Sequence, residues 1–581
     1  MGSNNYCSIE RNIQILIEIL KANNIHKVVA SPGATDVSLN ISLQHDPWFE
    51  IYSEVDERGA AYMACGIAAE CQEPVVITCT GATSSRNYMP GLTEAYYRKL
   101  PVLAVTCCRN NAYVGQLIDQ VTDRSTPPND TVMVSVHAQA VRNELDEWDV
   151  VNKINKAVLG LTHNGGGPCH INLETLYKGD YSVKDIPPVR CVKRYLPKDE
   201  LPKIEVGARV GIFVGAHEKW SDELTNAVTD FCGIYDAVVL CDHTSNYKGE
   251  YRVHFPLLFD QIDSDKGKSD FDLIIHIGYI SNYQCQFSNV WRVNPDGMPN
   301  NTFGKLKAVF QLSELEFFNH YVHGKSEKKH AFLDYWKNRI EKATSLIPEL
   351  PFSNIWVAQH LSTRLPQGCV LHMGIRNSIR SWNYFDIDNS ILGYCNTGGF
   401  GIDGGVSSLI GASLCNPQKL YFGVFGDLLF FYNMNAIGNR SIKPNVRILI
   451  INNGLGQEFR NYMCNSAALG EEANLLVAAQ GHFGNKNVNA IKGFAEAVGF
   501  KYITASSKED FKIVSTEFVN PKVGGQPIIF EVFTSQEDES EAVETINKLS
   551  NKAKALKGLK DILSRPEMGV VKNIAKKIIK G

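Results

Sequence analysis

With 581 residues, 44% of them hydrophobic and 21% charged, the chain is too long for one core and has the composition of a globular protein of about three domains. A net charge of −4 excludes bulk attraction to nucleic acid, and no apolar run reaches the roughly 18 residues of a membrane span. Its 15 cysteines, an odd number without a CxxC pair, read as free thiols of a reducing compartment, and MGSNNYCSIERN carries no signal pattern, so a cytoplasmic protein is expected.

In chain order, Ile13, Leu16, Ile17 and Leu20 mark a helical face between Ile9 and Lys21. Lys27 to Ala30 is a strand, and Ser31-Pro32-Gly33 is the turn at its end. Further strands are expected at Ile51 to Ser53, Val75 to Cys79, Pro101 to Thr106 and about 167–173. Strands alternating with helices predict a parallel α/β domain over 1–185. Within it Glu57 opens a helix of small residues, Glu57 to Ala64, which can lie close against a neighbour. A carboxylate there is either an ordinary helix-start acid beside Arg58 or a buried group bonded to a ligand.

Asp185 to Pro188 and Leu196 to Lys198 read as linkers. Strands at Val210 to Val214, Ala237 to Cys241 and Leu273 to Ile277 predict a second α/β domain over 186–345, with Phe303 to Gly324 leading out of it. Its GIFVGA stretch is a weak sign of a nucleotide-binding fold, and no extended FAD motif is present.

The third domain is expected over 346–545. Gly368 to His372 is a strand followed by Gly374-Ile375-Arg376-Asn377-Ser378. Asn396 to Gly405 is glycine-rich, which permits close backbone approach to a ligand. Tyr421 to Phe425 is a buried parallel strand ending at Gly426-Asp427, and Leu428 to Gly438 has helical spacing. Val446 to Ile451 is the next strand and ends at Asn452-Asn453-Gly454. Pro527 to Phe533 is a late strand of the same sheet. Ligands of open α/β sheets bind at such carboxyl ends. A carboxylate, an amide oxygen and a backbone carbonyl are hard donors that suit Mg2+ bridging a diphosphate. Backbone N–H groups at the helix start favour phosphate oxygens. The plain alternative is a strand-turn-helix with a capping Asp.

The run from Gly426-Asp427 to Asn452-Asn453 resembles the diphosphate signature of thiamine-diphosphate (ThDP) enzymes, although Leu428 stands where many have a second glycine. Glu57-Arg58-Gly59-Ala60-Ala61-Tyr62 resembles the helix of their pyrimidine-binding domain. The resemblance extends through about residue 545 and implies a pyrimidine domain first, a central α/β domain, and a diphosphate domain last. It implies ThDP and Mg2+ as cofactors, with Asp427, Asn453 and the Leu455 carbonyl as metal ligands. Glu57 would activate the cofactor at a pyrimidine nitrogen, and Gln116 would orient the reacting intermediate. Pro32, Gly33, Ser378, Gly401, Gly426, Leu428 and Gln457 would complete the cofactor site, and Ile402 would prop the cofactor in its bent form. The site would lie between two copies of the chain, in a homodimer or a dimer of dimers.

Within that family the chain is most similar to the menaquinone-pathway synthases, which decarboxylate 2-oxoglutarate and add the succinyl unit to isochorismate. Asp56-Glu57-Arg58-Gly59, Arg109, Gln116, Asn377-Ser378 and Gly401-Ile402-Asp403-Gly404 carry that similarity. Ala34-Thr35 stands where those synthases have a serine and an arginine, and Thr397 where they have another arginine. Bidentate pairing of a carboxylate is hard to replace. A different 2-oxoacid and an unidentified acceptor are therefore expected, with Thr35, Arg109, Arg376 (or Arg380) and Thr397 as substrate-site candidates. Each arginine has a structural role as its alternative. The expected activity is 2-oxoacid decarboxylation with transfer of the acyl-anion unit. The alternatives are the menaquinone-pathway reaction itself, simple decarboxylation, and a non-catalytic subunit.

The last stretch, 546–581, carries ten Lys or Arg against Asp561 and Glu567, and Val570, Val571, Ile574 and Ile578 share a helical face. A basic helix of this kind either lies on an anionic membrane surface or packs against a subunit. Membrane docking would set the enzyme beside lipid-linked or cell-surface glycan synthesis.

Overall fold

Side chains along a strand point alternately to opposite faces, and that alternation divides each core in two. The computed structural model describes residues 6–124, 126–261, 264–322, 328–481 and 488–550. The first sheet contains β1 (Lys27–Ala30), β2 (Glu50–Ser53), β3 (Val75–Thr80), β4 (Val102–Cys108), β5 (Val134–Ala138) and β6 (Cys169–Glu174). Its order is β2-β1-β3-β4-β6-β5 and every pair is parallel. β3, β4 and β6 are buried along their whole length, as expected of a parallel sheet covered on both faces. Val28, Val76, Leu103 and Val105 join Ile13, Leu16, Ile154 and Val158 of helices Arg11–Ala22 and Glu144–Gly160. Val29, Val75, Ile77 and Ala104 face the other way, toward Ala61, Ala64, Leu92 and Ala95 of helices Glu57–Cys71 and Met89–Arg98. Those two helices touch through small residues. A Cβ built at Gly91 would lie 2.4 Å from Ala61 Cβ, and the Cys65 thiol donates to the Gly91 carbonyl at 3.3 Å.

The middle of the chain supplies β7 (Lys193–Tyr195), β8 (Val210–Val214), β9 (Val238–Cys241), β10 (Arg252–His254), β11 (Leu273–Ile277), β12 (Val290–Val293) and β13 (Leu306–Phe310). Two compact units divide the molecule: residues up to Pro202 with Asn289–Ser313, and Lys203–Ser288 with Glu314 onward. The first unit holds the parallel series β12-β13-β7, the second the parallel series β10-β9-β8-β11. β7 lies between the two stretches expected as linkers. The stretch expected only to lead outward contains β13 and helix Glu314–Tyr321.

The last sheet is built of β14 (Val370–Met373), β15 (Leu392–Cys395), β16 (Tyr421–Gly426), β17 (Val446–Asn452), β18 (Lys501–Ala505) and β19 (Ile528–Phe533), in the order β15-β14-β16-β17-β19-β18, again all parallel. Phe422, Val424, Leu449 and Ile451 fill one core, and Tyr421, Phe425, Ile448 and Ile450 the other. The helix expected over Leu428 to Gly438 is a short one, Asp427–Tyr432, followed by a 3-10 turn, Met434–Gly438. The break falls at Asn433, whose side-chain oxygen accepts the Ser407 N–H at 2.7 Å. That bond ties the Asn433 side chain to helix Gly405–Ser413.

In both six-stranded sheets the chain runs first to one side of its opening strand and then crosses to the other, between β1 and β3 and between β14 and β16. The chain departs to opposite sides there, which opens a crevice at the carboxyl ends. No helix among the described residues is long and apolar enough to cross a membrane. Helix Gln536–Asn547 opens the final segment, and most of the expected basic tail, 551–581, lies outside the described residues.

Candidate functional site

In the second unit the crevice is walled by Gly374-Ile375-Arg376 after β14 and Gly426-Asp427 after β16. A cavity of about 380 Å3 lies against it. Ser378, Ile402, Gly426 and Leu428 line that cavity together with Asp427, Asn453, Leu455 and Gln457. Asp427 is 5% exposed, and its Oδ2 accepts the Gly454 N–H at 3.0 Å. Burial pushes its carboxyl up to about 7 against the opposing pull of the Leu428 and Gly454 N–H groups. Among the described residues no Lys or Arg pairs with it. The two asparagines divide by strand alternation. Asn452 donates to Glu531 Oε1 at 2.6 Å inside the sheet, whereas Asn453 faces the cavity.

Arg376 also lines the cavity. Its backbone has φ +67° and ψ −107°, and its guanidinium lies 5.0 Å from the Phe400 ring centre. Arg380, considered as a carboxylate holder, is already taken by Glu458 at 2.8 and 3.0 Å. Thr397 is buried, its N–H on the Cys395 carbonyl, and it is not part of the cavity wall. Gly401 lines a smaller neighbouring pocket with His372 and Asn396. Glu539 is among the wall residues that escaped the sequence reading. Glu539 is 4% exposed, and its Oε1 accepts from the Asn354 N–H at 2.9 Å and the Thr534 hydroxyl at 2.8 Å. Burial pushes its carboxyl up to about 7. It sits in an acidic helix start that resembles any solvated cap, so the sequence gives no signal for it.

In the first unit the matching crevice is the turn Ser31-Pro32-Gly33 beside Thr80 and Gly81. A Cβ at Gly33 would meet Thr80 Cβ at 2.8 Å, so only glycine permits this approach. Pro32 is exposed beside it. Thr35 points inward: it is 2% exposed, and its hydroxyl bonds to Thr80 and, at 2.6 Å, to the Cys107 carbonyl. That side chain is therefore a core hydroxyl, with no free group to offer a substrate. Arg109 forms a fork with Asp119 at 3.0 and 3.3 Å and donates to Tyr177 at 3.2 Å. Gln116 is exposed on the loop after β4.

Glu57 begins its helix as expected, with Asp56 as the cap accepting the Arg58 N–H at 3.1 Å. The carboxylate is half-buried and Oε2 accepts from Asn87 at 3.0 Å. Partial burial raises its proton affinity, but the Asn87 and Ser84 side chains more than offset this, and the carboxyl lies below its ordinary value. Within one chain the Glu57 carboxylate is thus only partly buried and holds its proton less tightly than an ordinary glutamic acid.

Residues 12–127 match the thiamine pyrophosphate enzyme N-terminal TPP-binding domain. The chain belongs to the thiamine-diphosphate enzymes. It is 28% identical over 567 residues to 2-succinyl-5-enolpyruvyl-6-hydroxy-3-cyclohexene-1-carboxylate synthase of Bacteroides thetaiotaomicron, covering 92% of this chain and 97% of that one. The synthase of the same name from Phocaeicola vulgatus is 27% identical over the same shares of the two chains. Superposed on the ThDP-dependent 4-hydroxybenzoylformate decarboxylase of Rhodococcus jostii RHA1, the chain gives a TM-score of 0.39 at 17% identity, over 90% of this chain and 99% of that one.

The donor set of this ThDP enzyme suits the cofactor's charged end. A buried carboxylate without its own cation, an amide oxygen and a backbone carbonyl line one cavity, and hard oxygen ligands of this kind match Mg2+. Ser378, Ile402, Gly426, Leu428 and Gln457 line the same cavity.

Proposed function

We propose that this ThDP enzyme uses Mg2+ to decarboxylate a small 2-oxoacid and transfers the acyl unit to an acceptor carbonyl or alkene. The convergence of Asp427, Asn453 and Leu455 in one cavity at the β14/β16 crevice supports the reading most directly. Asp427, Asn453 and the Leu455 carbonyl would hold the metal and, through it, the diphosphate. Ser378, Gly426, Leu428 and Gln457 would surround the phosphates, and Ile402 would support the ring system. When bound, the cofactor supplies the nucleophilic carbon and accepts the electron pair released with CO2. Glu57 exchanges a proton with the pyrimidine nitrogen, and covering its open face raises its proton affinity toward that task. Gln116, exposed on its loop, would orient the reacting group. The adjacent histidine pair used by simple decarboxylases of this family is absent from the sequence, which favours carboligation.

Glu57 is flanked by exposed Val55, Tyr62 and Met63, at 76%, 48% and 37%. Apolar surface of this kind beside a site suits cover by a second copy of the chain. A second reading, the reaction named for the synthase relatives, rests on 28% identity over 92% of the chain. The buried threonines Thr35 and Thr397, where those synthases carry arginine, weigh against it.

The test is CO2 release from a panel of 2-oxoacids with ThDP and Mg2+, with mass spectrometry of products formed in the presence of candidate acceptors. At least one oxoacid should turn over, and Glu57→Gln should lose about 100-fold or more of that rate while keeping its circular dichroism. Equal, measurable rates in the two proteins would refute the role given to Glu57, and no turnover of any oxoacid would reduce the chain to a non-catalytic relative. 2-Oxoglutarate with isochorismate belongs in the panel as the rival reaction.

A further inference from the structure

Among the described residues of the first unit, Arg124 is a guanidinium without a carboxylate partner that stands at the carboxyl ends of the strands. Arg124 reaches back from the loop after β4 to the carboxyl ends of β3, β4 and β6. Its Nε donates to Asn172 Oδ1 at 2.9 Å and its Nη1 to Thr122 Oγ at 3.1 Å. Asn172 is itself fixed by the Thr106 hydroxyl at 3.3 Å and by His137 Nδ1 at 3.0 Å, so the fork is held in one plane. The fork lies against the turn after β3: a Cβ at Gly81 would meet Arg124 Nη1 at 2.7 Å and Cζ at 3.0 Å. That turn borders the β1/β3 crevice, and Gly81 N–H points to the Thr35 hydroxyl at 3.4 Å.

Among the described residues no carboxylate pairs with Arg124. Glu174 is committed to Arg142 at 3.0 Å and Asn110 at 2.8 Å, Glu57 to Asn87, and Asp36 to the Gly33 N–H at 2.8 Å. The surroundings add positive rather than negative charge. Burial depresses the Arg124 guanidinium most, and Arg86, whose Nη2 donates to the Asp123 carbonyl at 2.7 Å, adds slightly to the fall. The neighbouring Cys108 thiol is pushed up to about 11 by burial and stays neutral. A largely buried cation that no anion of its own protein neutralises is costly unless an anion arrives from outside. Arg109, by contrast, already has its carboxylate in Asp119.

We infer that Arg124 is the specificity residue that holds the carboxylate of the substrate, with the remaining N–H groups of its fork, and that Arg109 does not. The inference rests on the 2-oxoacid reading above and adds the residue that recognises the acid group. Thr122 and Asn172 are positioning residues, since they act only by orienting Arg124. A guanidinium presents two parallel donors to a carboxylate, which an ammonium cannot reproduce in full.

The test separates binding from turnover. The protein is loaded with Mg2+ and the inert analogue thiamine thiazolone diphosphate, and pyruvate and 2-oxoglutarate are titrated calorimetrically. At least one should bind to the wild type. Arg124→Met should weaken that oxoacid at least 30-fold, Arg124→Lys less than 10-fold, and Arg109→Met less than 3-fold, with analogue affinity within 2-fold throughout. Should Arg124→Met fail to fold, Asn172→Asp keeps the side-chain shape while placing a carboxylate on the guanidinium, and it should cost at least 10-fold. Oxoacid binding without CO2 release would defeat the proposed reaction and leave Arg124 to be judged by the variants. Unchanged affinity in Arg124→Met or in Asn172→Asp, or no binding of either oxoacid to the wild type, overturns the assignment.

Discussion

Replacing Gly91 by Ala tests how the fold places Glu57. A methyl at this position would lie 2.4 Å from Ala61 Cβ, 3.0 Å from the Ala61 carbonyl carbon and 3.1 Å from Tyr62 N. Two of those three neighbours are backbone atoms and cannot turn aside, so helices Glu57–Cys71 and Met89–Arg98 must separate by about 1 Å. Overpacking of this kind costs about 1–3 kcal/mol. Removing a helical glycine returns about 1 kcal/mol, which leaves a net loss of about 1–2 kcal/mol. The same movement loosens the 3.0 Å bond between Asn87, just before the second helix, and Glu57. Misplacement of a catalytic group by about 1 Å can cost roughly 100-fold in rate. Urea unfolding followed by circular dichroism, together with CO2 release, measures both effects. Gly493→Ala is the control, because nothing lies within 4 Å of a methyl there, and it should be neutral or gain up to about 1 kcal/mol. A Gly91→Ala protein as stable as that control, with unchanged rate, would refute the close-contact argument.

Asp427→Asn should weaken Mg2+-dependent ThDP binding by at least about 100-fold, roughly 3 kcal/mol, in a cofactor titration. The unloaded variant should be no less stable than the wild type, since an isosteric amide replaces a buried carboxylate that has no cation of its own. His254 gives a pH test. Burial lowers it from 6.5 to about 4, with Asp386 pulling the other way and Arg252 adding to the fall. The unfolded chain therefore binds this proton below about pH 6.5 while the folded chain does not, and stability falls with pH through that range down to about 4. The loss between pH 7 and 5 is about 2 kcal/mol for this group. His254 stacks on His243 at 4.6 Å and its Nε2–H donates to the Asn383 carbonyl at 2.8 Å. His254→Gln should flatten the urea midpoint between pH 7 and pH 5, and an unchanged slope would rule out this source.

Fully buried strands were the most legible elements. β1, β8 and β11 match their sequence bounds because apolar runs closed by turn residues carry the whole signal. β5, with Ser135 and His137 between its valines, and β7, only three residues long and half exposed, do not stand out from their surroundings. At the site, Asp427 and Asn453 were readable because strand ends in parallel sheets place polar groups predictably. Arg124 was not, since its place depends on a loop folding back across three strand ends. The burial of Glu57 was not legible for a related reason: it follows from what covers the helix start, and the helix sequence does not encode that cover. Thr35 shows a further limit, because the residue type alone could not tell an inward hydroxyl from one facing a ligand.

The turn after β14 has a consequence for how this chain could be altered. At Arg376 an L-residue occupies a dihedral region in which glycine rests without penalty, and such conformations cost about 1–3 kcal/mol. Glycine there would relax the turn, yet it would also erase the one guanidinium that projects over Phe400 into the cavity. Thermal screening alone would therefore favour glycine at this codon, while screening for catalysis would restore arginine, so the two selections should diverge there.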